Sequence, residues 1–254
     1  MTTIIEGFAA QAGHFYTATG EPAYEVVGAN GKTRPTTIRD ARKLNLYPSV
    51  TTIIRLMDAP GLTRWKMRQL ALACLTLPRI EGESEDDFLA RAERDAMEEG
   101  KAAAERGTAI HAAVERHYRG QDAPEHREWV LAATTAIDGL CGPQKWSAER
   151  SFASPEGYGG KVDLHSTGYV PWVIDVKTKD DDRADLYDDH FCQLSAYAHG
   201  LGLNSWRAGI VFVNRREPRA VAVEASGDDL DKGWAMFQAL LALHQAKTRY
   251  RPAP

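Results

Sequence analysis

The residues with the most chemical promise lie in two short runs, Gly159-Gly160-Lys161-Val162-Asp163 and Val173-Ile174-Asp175-Val176-Lys177. Both alternate polar with apolar side chains, the two-residue period of a strand. With Gly168-Tyr169 at the tip of the connection, a symmetric hairpin sets Asp163 opposite Asp175. Facing positions of an antiparallel pair hold their Cβ atoms about 4.5–5.5 Å apart, so two carboxylates there repel unless a cation lies between them. Oxygen ligands select hard divalent ions, and Mg²⁺ or Mn²⁺ polarises a phosphate and lowers the pKa of a bound water. Lys177, on the face of Asp175, supplies a positive charge where a phosphorane develops negative charge. The chemistry these residues suit is phosphodiester hydrolysis. They equally suit an ordinary amphipathic hairpin in which Val162, Leu164, Ile174 and Val176 form the core face and Lys177 neutralises the acids.

The elements that must position this pair follow from periodicity and punctuation. Tyr24 to Val27 leads into a Gly28-Ala29-Asn30-Gly31 turn, a hairpin signal within a first segment of about 40 residues that reads as short strands. Ser49 caps a short helix through Met57, and Pro60-Gly61 opens another that Pro78 stops. Ser84 begins a capping box, and an Ala/Glu/Arg-rich helical stretch runs to Tyr118, with Gly100 and Gly107 as candidate breaks. A further helix covers Glu125 to Leu140. Beyond Gly142-Pro143 the period changes to two: Trp146 to Phe152, Gly159 to His165 and Pro171 to Lys177 are strands. A helix over Leu186–Gly200, strands over Ser205–Asn214 and Arg219–Ala225, and a helix over Gly227–Thr248 complete the chain. Grouped strands with flanking helices predict an α/β fold with a mixed sheet covered on both faces.

Length and composition bound the remaining options. The 254 residues suit one large domain or two small ones, and no linker or repeat divides them, so a single domain over residues 1–254 is expected, with 1–100 as a hairpin and helical extension and 101–254 as the core. At 43% hydrophobic and 26% charged, the chain has the composition of a globular protein, and no apolar stretch reaches the ~18 residues of a membrane span. No membrane partner is expected. The start of the chain lacks a secretory signal pattern, which places the protein in the cytoplasm. Cys74, Cys141 and Cys192 are odd in number and widely spaced, which argues for buried thiols and against disulfides or metal clamps. Gly31-Lys32-Thr33 lacks the glycine a phosphate loop requires, since Val26 stands in that place, so no nucleotide cofactor is expected. Net charge is −4, but six aspartates fall between Asp180 and Asp189. Such a run repels a nucleic-acid backbone unless it turns away or holds cations of its own.

Further residues join the aspartate pair through a resemblance. The run Glu105-Arg106-Gly107-Thr108-Ala109-Ile110-His111, the two strand acids with Lys177, and Gln193-Leu194-Ser195-Ala196-Tyr197, in that order, resemble the PD-(D/E)XK nuclease superfamily and within it the RecB-like exonucleases. The likeness spans residues 101 to 213. It implies a restriction-endonuclease-like α-β-β-β-α-β core, with His111, Asp163, Asp175 and the Val176 carbonyl holding one or two Mg²⁺ or Mn²⁺ ions. Lys177 would position or deprotonate the attacking water, and Gln193 and Tyr197 would orient the phosphate. Glu149, on the first strand, falls where a glutamate recurs in these enzymes. The iron–sulfur branch needs four cysteines, so no cluster is expected. The activity implied is a metal-dependent DNA exonuclease of recombination, repair or phage DNA processing, acting in the bacterial cytoplasm if a phage encodes it. The implied partners are DNA with a single-stranded end and a recombination protein. A structure-selective endonuclease and a noncatalytic DNA-binding module are the competing readings.

Several residues keep two readings at this level. His111 alone serves as a helix-face imidazole as readily as a ligand, and Glu115, one turn on, either orients that ring or faces solvent. Glu149 either meets the metal through water or pairs with Lys161 or Arg150. Gln193 and Tyr197, at i and i+4, reach a phosphate together or bond each other. Arg64, Trp65, Lys66 and Arg68, with Lys161, have the charge and aromatic content to hold a single strand, while a core tryptophan flanked by solvated cations explains the first four as well.

Overall fold

The computed structural model describes residues 13–253. Any strand in the first twelve residues lies outside the described residues. The chain opens with β1 (Phe15–Tyr16), the antiparallel hairpin β2 (Glu25–Val27) and β3 (Thr33–Pro35), α1 (Ile38–Leu44) and β4 (Tyr47–Pro48), which returns to pair with β1. Three helices follow, α2 (Val50–Ile54), α3 (Pro60–Thr76) and α4 (Glu85–Tyr118). Then come α5 (Arg127–Cys141), β5 (Lys145–Ser154), β6 (Tyr158–Thr167), β7 (Trp172–Lys179), α6 (Asp188–Gly200), β8 (Arg207–Asn214), β9 (Ala220–Glu224) and α7 (Gly227–Thr248).

Serine caps start three of these helices. Ser49, Ser84 and Ser226 each accept a hydrogen bond from the backbone N–H three residues on, at 3.0, 3.1 and 3.2 Å. Such a cap contributes about 1 kcal/mol by satisfying an otherwise orphaned donor. The short helix after Ser49 ends at Ile54, three residues before the expected Met57.

Contrary to the sequence reading, α4 runs unbroken through Gly100 and Gly107. The two glycines are two turns apart and lie where neighbours come close. A Cβ on Gly100 would sit 2.9 Å from Trp65 Cη2 of α3, and one on Gly107 would collide with Thr178 Oγ1 of β7. Each glycine costs roughly 1 kcal/mol of helix propensity, which packing offsets.

The five strands form one mixed sheet, ordered β5-β6-β7-β8-β9, antiparallel throughout except for β7 with β8. That parallel pair is joined through α6, the crossover a parallel connection requires. Ile110 and Val114 of α4 and Ile137 of α5 pack with Ile174 and Val211 on one side. Leu194 of α6 and Phe237 and Leu241 of α7 pack with Val173 and Ile210 on the other. Both faces are therefore covered, and the two central strands read as apolar runs interrupted by polar residues at the site.

The hairpin register is the expected one where it is paired, Leu164 against Ile174 and His165 against Val173. Simple alternation fails just beyond. Val162 packs with Val173 and Leu194, whereas Leu164 packs with Ile174 on the opposite side. Of the common core face expected for Val162, Leu164, Ile174 and Val176, the last three form one cluster and Val162 alone joins the opposite side. The cause is a local twist: Glu149 adopts a left-handed φ of 56°, and the ladder passes from Ala148↔Leu164 to Arg150↔Val162 without pairing Glu149 to Asp163. A non-glycine residue in that region of φ costs on the order of 1–3 kcal/mol, and such strain concentrates at functional sites.

Candidate active site

The site forms where β6 and β7 part. Asp163 is not paired with Asp175 in the ladder; its Oδ2 instead accepts the Val176 N–H at 2.8 Å. The same oxygen lies 2.9 Å from His111 Nε2, delivered by α4. Burial pushes the Asp163 carboxyl up, but the His111 charge, its hydrogen bond and the Val176 N–H outweigh that and hold it below the usual range. For His111 burial likewise opposes charge, and Asp163, then Asp175 and Glu115, raise its pKa above the ordinary value. Each partner thus favours the charged form of the other.

Asp175 is 2% exposed and belongs to a second, closed network. Its Oδ1 accepts from Gln193 Nε2 at 2.7 Å, the Gln193 Oε1 accepts from Lys177 Nζ at 2.9 Å, and that ammonium lies 2.9 Å from Asp175 Oδ2. Gln193 Nε2 also donates to Tyr197 Oη at 2.9 Å. The amide has one sensible orientation, oxygen toward ammonium and nitrogen toward carboxylate. Burial is the main reason that the Asp175 carboxyl is pushed up to about 6; Lys177 opposes this and Asp163 adds to it. Lys177 is held above its ordinary pKa by Asp175 and Asp163 in spite of burial, and burial with both acids keeps the Tyr197 phenol protonated.

These contacts are ones the sequence also allowed: Gln193 with Tyr197, Lys177 with an acid, and Glu149 with Lys161. Gln193 and Tyr197 are buried and bound to Asp175, Lys177 and each other, so they position those groups through hydrogen bonds and do not present a face to a phosphate. Lys177, its pKa raised by Asp175 and Asp163, is set as a positive charge and hydrogen-bond donor. Glu149 is ion-paired with Lys161 and Lys161 is thereby engaged, which leaves it less available to a nucleic-acid backbone.

A small cavity of about 10 Å³, the order of one water molecule, lies on the His111 side. His111, Glu115, Glu149, Asp163 and Val176 line it. Ligand atoms of His111, Glu115 and Glu149 all fall within 4.8 Å of one another. Glu115, for which the sequence left open an orienting or a solvent-facing place, borders this cavity beside His111. Its position one turn after His111 was the available signal, although it also pairs with Arg119 at 2.9 Å. Asp175 does not line this cavity and faces α6.

The donor set fits a hard divalent ion. It comprises carboxylate oxygens and one imidazole, and one of these oxygens, Glu149 Oε2, is buried, meets only the Lys161 ammonium and accepts no hydrogen bond; Asp175 Oδ2, outside the cavity, is likewise buried and meets only Lys177. His111 or an acid must surrender its present partner to bind one.

The other candidates lie apart from this network. Arg64, Lys66 and Arg68 are exposed on α3, without an ion pair among the described residues, and Trp65 is 37% exposed with its ring edge against Gly100 of α4. The acidic run is largely neutralised. Asp180 pairs with Arg215 at 2.9 Å and with Arg216 at 3.5 Å, Asp182 with Arg219 at 2.9 Å, Asp181 with Arg183 at 2.9 Å, and Asp188 with Lys232 at 2.7 Å. These aspartates tie the β7–α6 connection to its neighbours. Of the cysteines only Cys192 is buried, Cys74 and Cys141 being half-buried, and all three are free. No helix among the described residues is long and apolar enough to cross a membrane.

No family model matches the sequence and no curated protein matches it. Among solved structures, the crystal structure of SSO0001 is similar over 75% of this chain and 88% of that one, at 14% identity and a TM-score of 0.34.

Proposed function

We propose that this chain is a divalent-metal-dependent deoxyribonuclease on a restriction-endonuclease-like core, hydrolysing phosphodiester bonds from a DNA end. The observation that carries the reading is the meeting, at one parting of two strands, of the His111–Asp163 pair with the Asp175–Lys177–Gln193 network. Apolar structure does not require such a set. Two acids and two bases drawn from α4, β6 and β7, braced by an amide on α6, are costly to bury, and a purely structural role would be served as well by hydrocarbon.

In this reading His111 and Asp163, with Glu115 and Glu149 beside them and Asp175 across the gap, hold Mg²⁺ or Mn²⁺. The ion supplies Lewis acidity toward a phosphoryl oxygen and a bound water of lowered pKa. Lys177 places a fixed positive charge beside the reacting phosphate, where negative charge grows. Gln193 fixes the Lys177 ammonium relative to Asp175, and Tyr197 fixes Gln193, so that neither group must reorganise as charge develops. Recombination, repair and phage DNA processing are the settings this activity suits.

The experiment is release of nucleotides from end-labelled linear DNA in Mg²⁺ or Mn²⁺. Wild type should digest it, and Lys177→Ala and Asp163→Asn should each lose about 100-fold or more. Circular single-stranded DNA should stay intact because it offers no end, and a flap or junction substrate whose ends are blocked separates this activity from a structure-selective endonuclease, which would still cut it. Digestion unchanged in both variants contradicts the assignment, and so does a wild-type chain that digests nothing with either ion.

A further inference from the structure

Two recesses flank Lys177 and Thr178 at the C-terminal end of β7. One, of about 330 Å³, runs along Ala104, Gly107, Thr108 and His111 of α4. The other, of about 320 Å³, is bounded by Lys179, Arg183, Asp185, Tyr187 and His190. Both include Lys177 and Thr178, so each is an arm of space that adjoins the proposed phosphate position.

The second arm differs chemically from a phosphate track. Its cations are already engaged. Arg183 is bound to Asp181 at 2.9 Å, and Lys179 lies 3.7 Å from Asp181 and 4.1 Å above the Phe212 ring. Asp185 adds negative charge to the wall. Net attraction for a phosphodiester is therefore weak there, and an uncharged planar group meets less opposition. Tyr187, 59% exposed, presents such a group with a π-face. It is not a loose surface residue. Its N–H donates to His190 Nδ1 at 3.2 Å, its ring lies tilted against that imidazole with centroids 5.6 Å apart, and His190 in turn packs against Phe212 at 5.8 Å. Tyr187 stands at the N-terminal end of α6, the helix that carries Gln193.

We propose that this arm receives an unstacked base of single-stranded nucleic acid, with Tyr187 as its stacking platform. The inference rests on the phosphodiester-cleaving reading of the adjoining site and adds the residue that would meet an unpaired base, since a base paired in a duplex offers no free face to an aromatic ring.

The test is binding in EDTA, where turnover is absent. Wild type should bind a fluorescein-labelled oligothymidylate and quench a 2-aminopurine base placed in the same oligonucleotide. Tyr187→Ala should weaken that affinity about 5- to 150-fold and abolish the quench. Tyr187→Phe should keep both, since the ring face and not the hydroxyl makes the contact, and a blunt duplex should bind wild type and Tyr187→Ala alike. Unchanged thermal midpoints show that the variants fold. Equal single-strand affinity in wild type and Tyr187→Ala overturns the proposal, as does an equal loss on duplex, a loss in Tyr187→Phe, or no binding by wild type. A chain that binds and quenches through Tyr187 but cleaves no DNA with Mn²⁺ retains this inference while the nuclease reading fails. Cleavage with affinity independent of Tyr187 does the reverse.

Discussion

Replacing Asp175 by asparagine should make the protein more stable at neutral pH while removing one of the acids on which the proposed chemistry depends. Asp175 is buried on β7, and burial with the nearby Asp163 raises its carboxyl from 3.8 to about 6 despite Lys177. A native-state pKa above the unfolded one means that the folded protein binds the extra proton, so stability is fullest below the unfolded value and is lost as pH rises through about 6. Above that pH the ionised carboxylate costs the fold on the order of 3 kcal/mol, taking about 1.4 kcal/mol for each tenfold change. The amide of the Asp175→Asn variant would carry no such charge, and its carbonyl still accepts from Gln193. With an m-value of about 3 kcal/mol/M, the urea midpoint of Asp175→Asn should exceed that of wild type by up to about 1 M near pH 8, and the difference should fade toward pH 4. Urea titrations of both proteins in EDTA at the two pH values make the measurement. Equal midpoints at the higher pH, or a variant weaker at both, would show that Lys177 and Gln193 fully compensate the buried charge, and the energetic account of the site would be wrong.

Other consequences follow from the same geometry. Gly107→Ala should push α4 away from Thr178 and displace His111, one turn along, which calorimetric Mn²⁺ titration should register as a loss of about 10-fold or more in affinity; unchanged affinity would mean that the helix accommodates the methyl group without moving the ring. Glu149→Gly should relieve the left-handed strain at φ 56° and leave Lys161, itself partly exposed, to water, so its thermal midpoint should not fall by more than a few degrees even as Mn²⁺ affinity drops. Mn²⁺ binding should release protons, because His111 is held above its ordinary pKa and Asp175 near 6, and affinity should therefore rise from about pH 5 to pH 8. Titrations in buffers of different ionisation enthalpy measure that release directly, and a pH-independent affinity with no proton release contradicts it.

Local signals were strong enough to place most elements. The cap at Ser226 and the apolar run after it put the last helix at Gly227–Thr248, where it is found, and the turn at Gly168-Tyr169 fixed the hairpin register at Leu164 and Ile174. What sequence could not reveal are departures from regular geometry. Gly100 and Gly107 looked like helix breaks because propensity counts only the cost of a missing side chain, not the close approach of Trp65 and Thr178 that it permits. Alternation placed Val162 and Leu164 on one face because no residue type announces a left-handed Glu149, whose twist turns β5 and β6 over at that point. Glu115 and Glu149 meet His111 around one cavity, while Asp175, between Ile174 and Val176, turns toward α6 as alternation along β7 requires. The acidic run looked hostile to DNA for a related reason: its partners Arg215, Arg216, Arg219 and Lys232 lie some 30 or more residues downstream, beyond any local charge pattern.

The most direct measurement is an anomalous-scattering map from crystals of the protein soaked in Mn²⁺. The account predicts a peak in the gap between β6 and β7, within coordination reach of His111 Nε2 and an Asp163 oxygen and bordered by Glu149, together with breakage of the present His111–Asp163 hydrogen bond. Full Mn²⁺ occupancy elsewhere on the molecule, or an unaltered His111–Asp163 contact with no peak beside it, would contradict it.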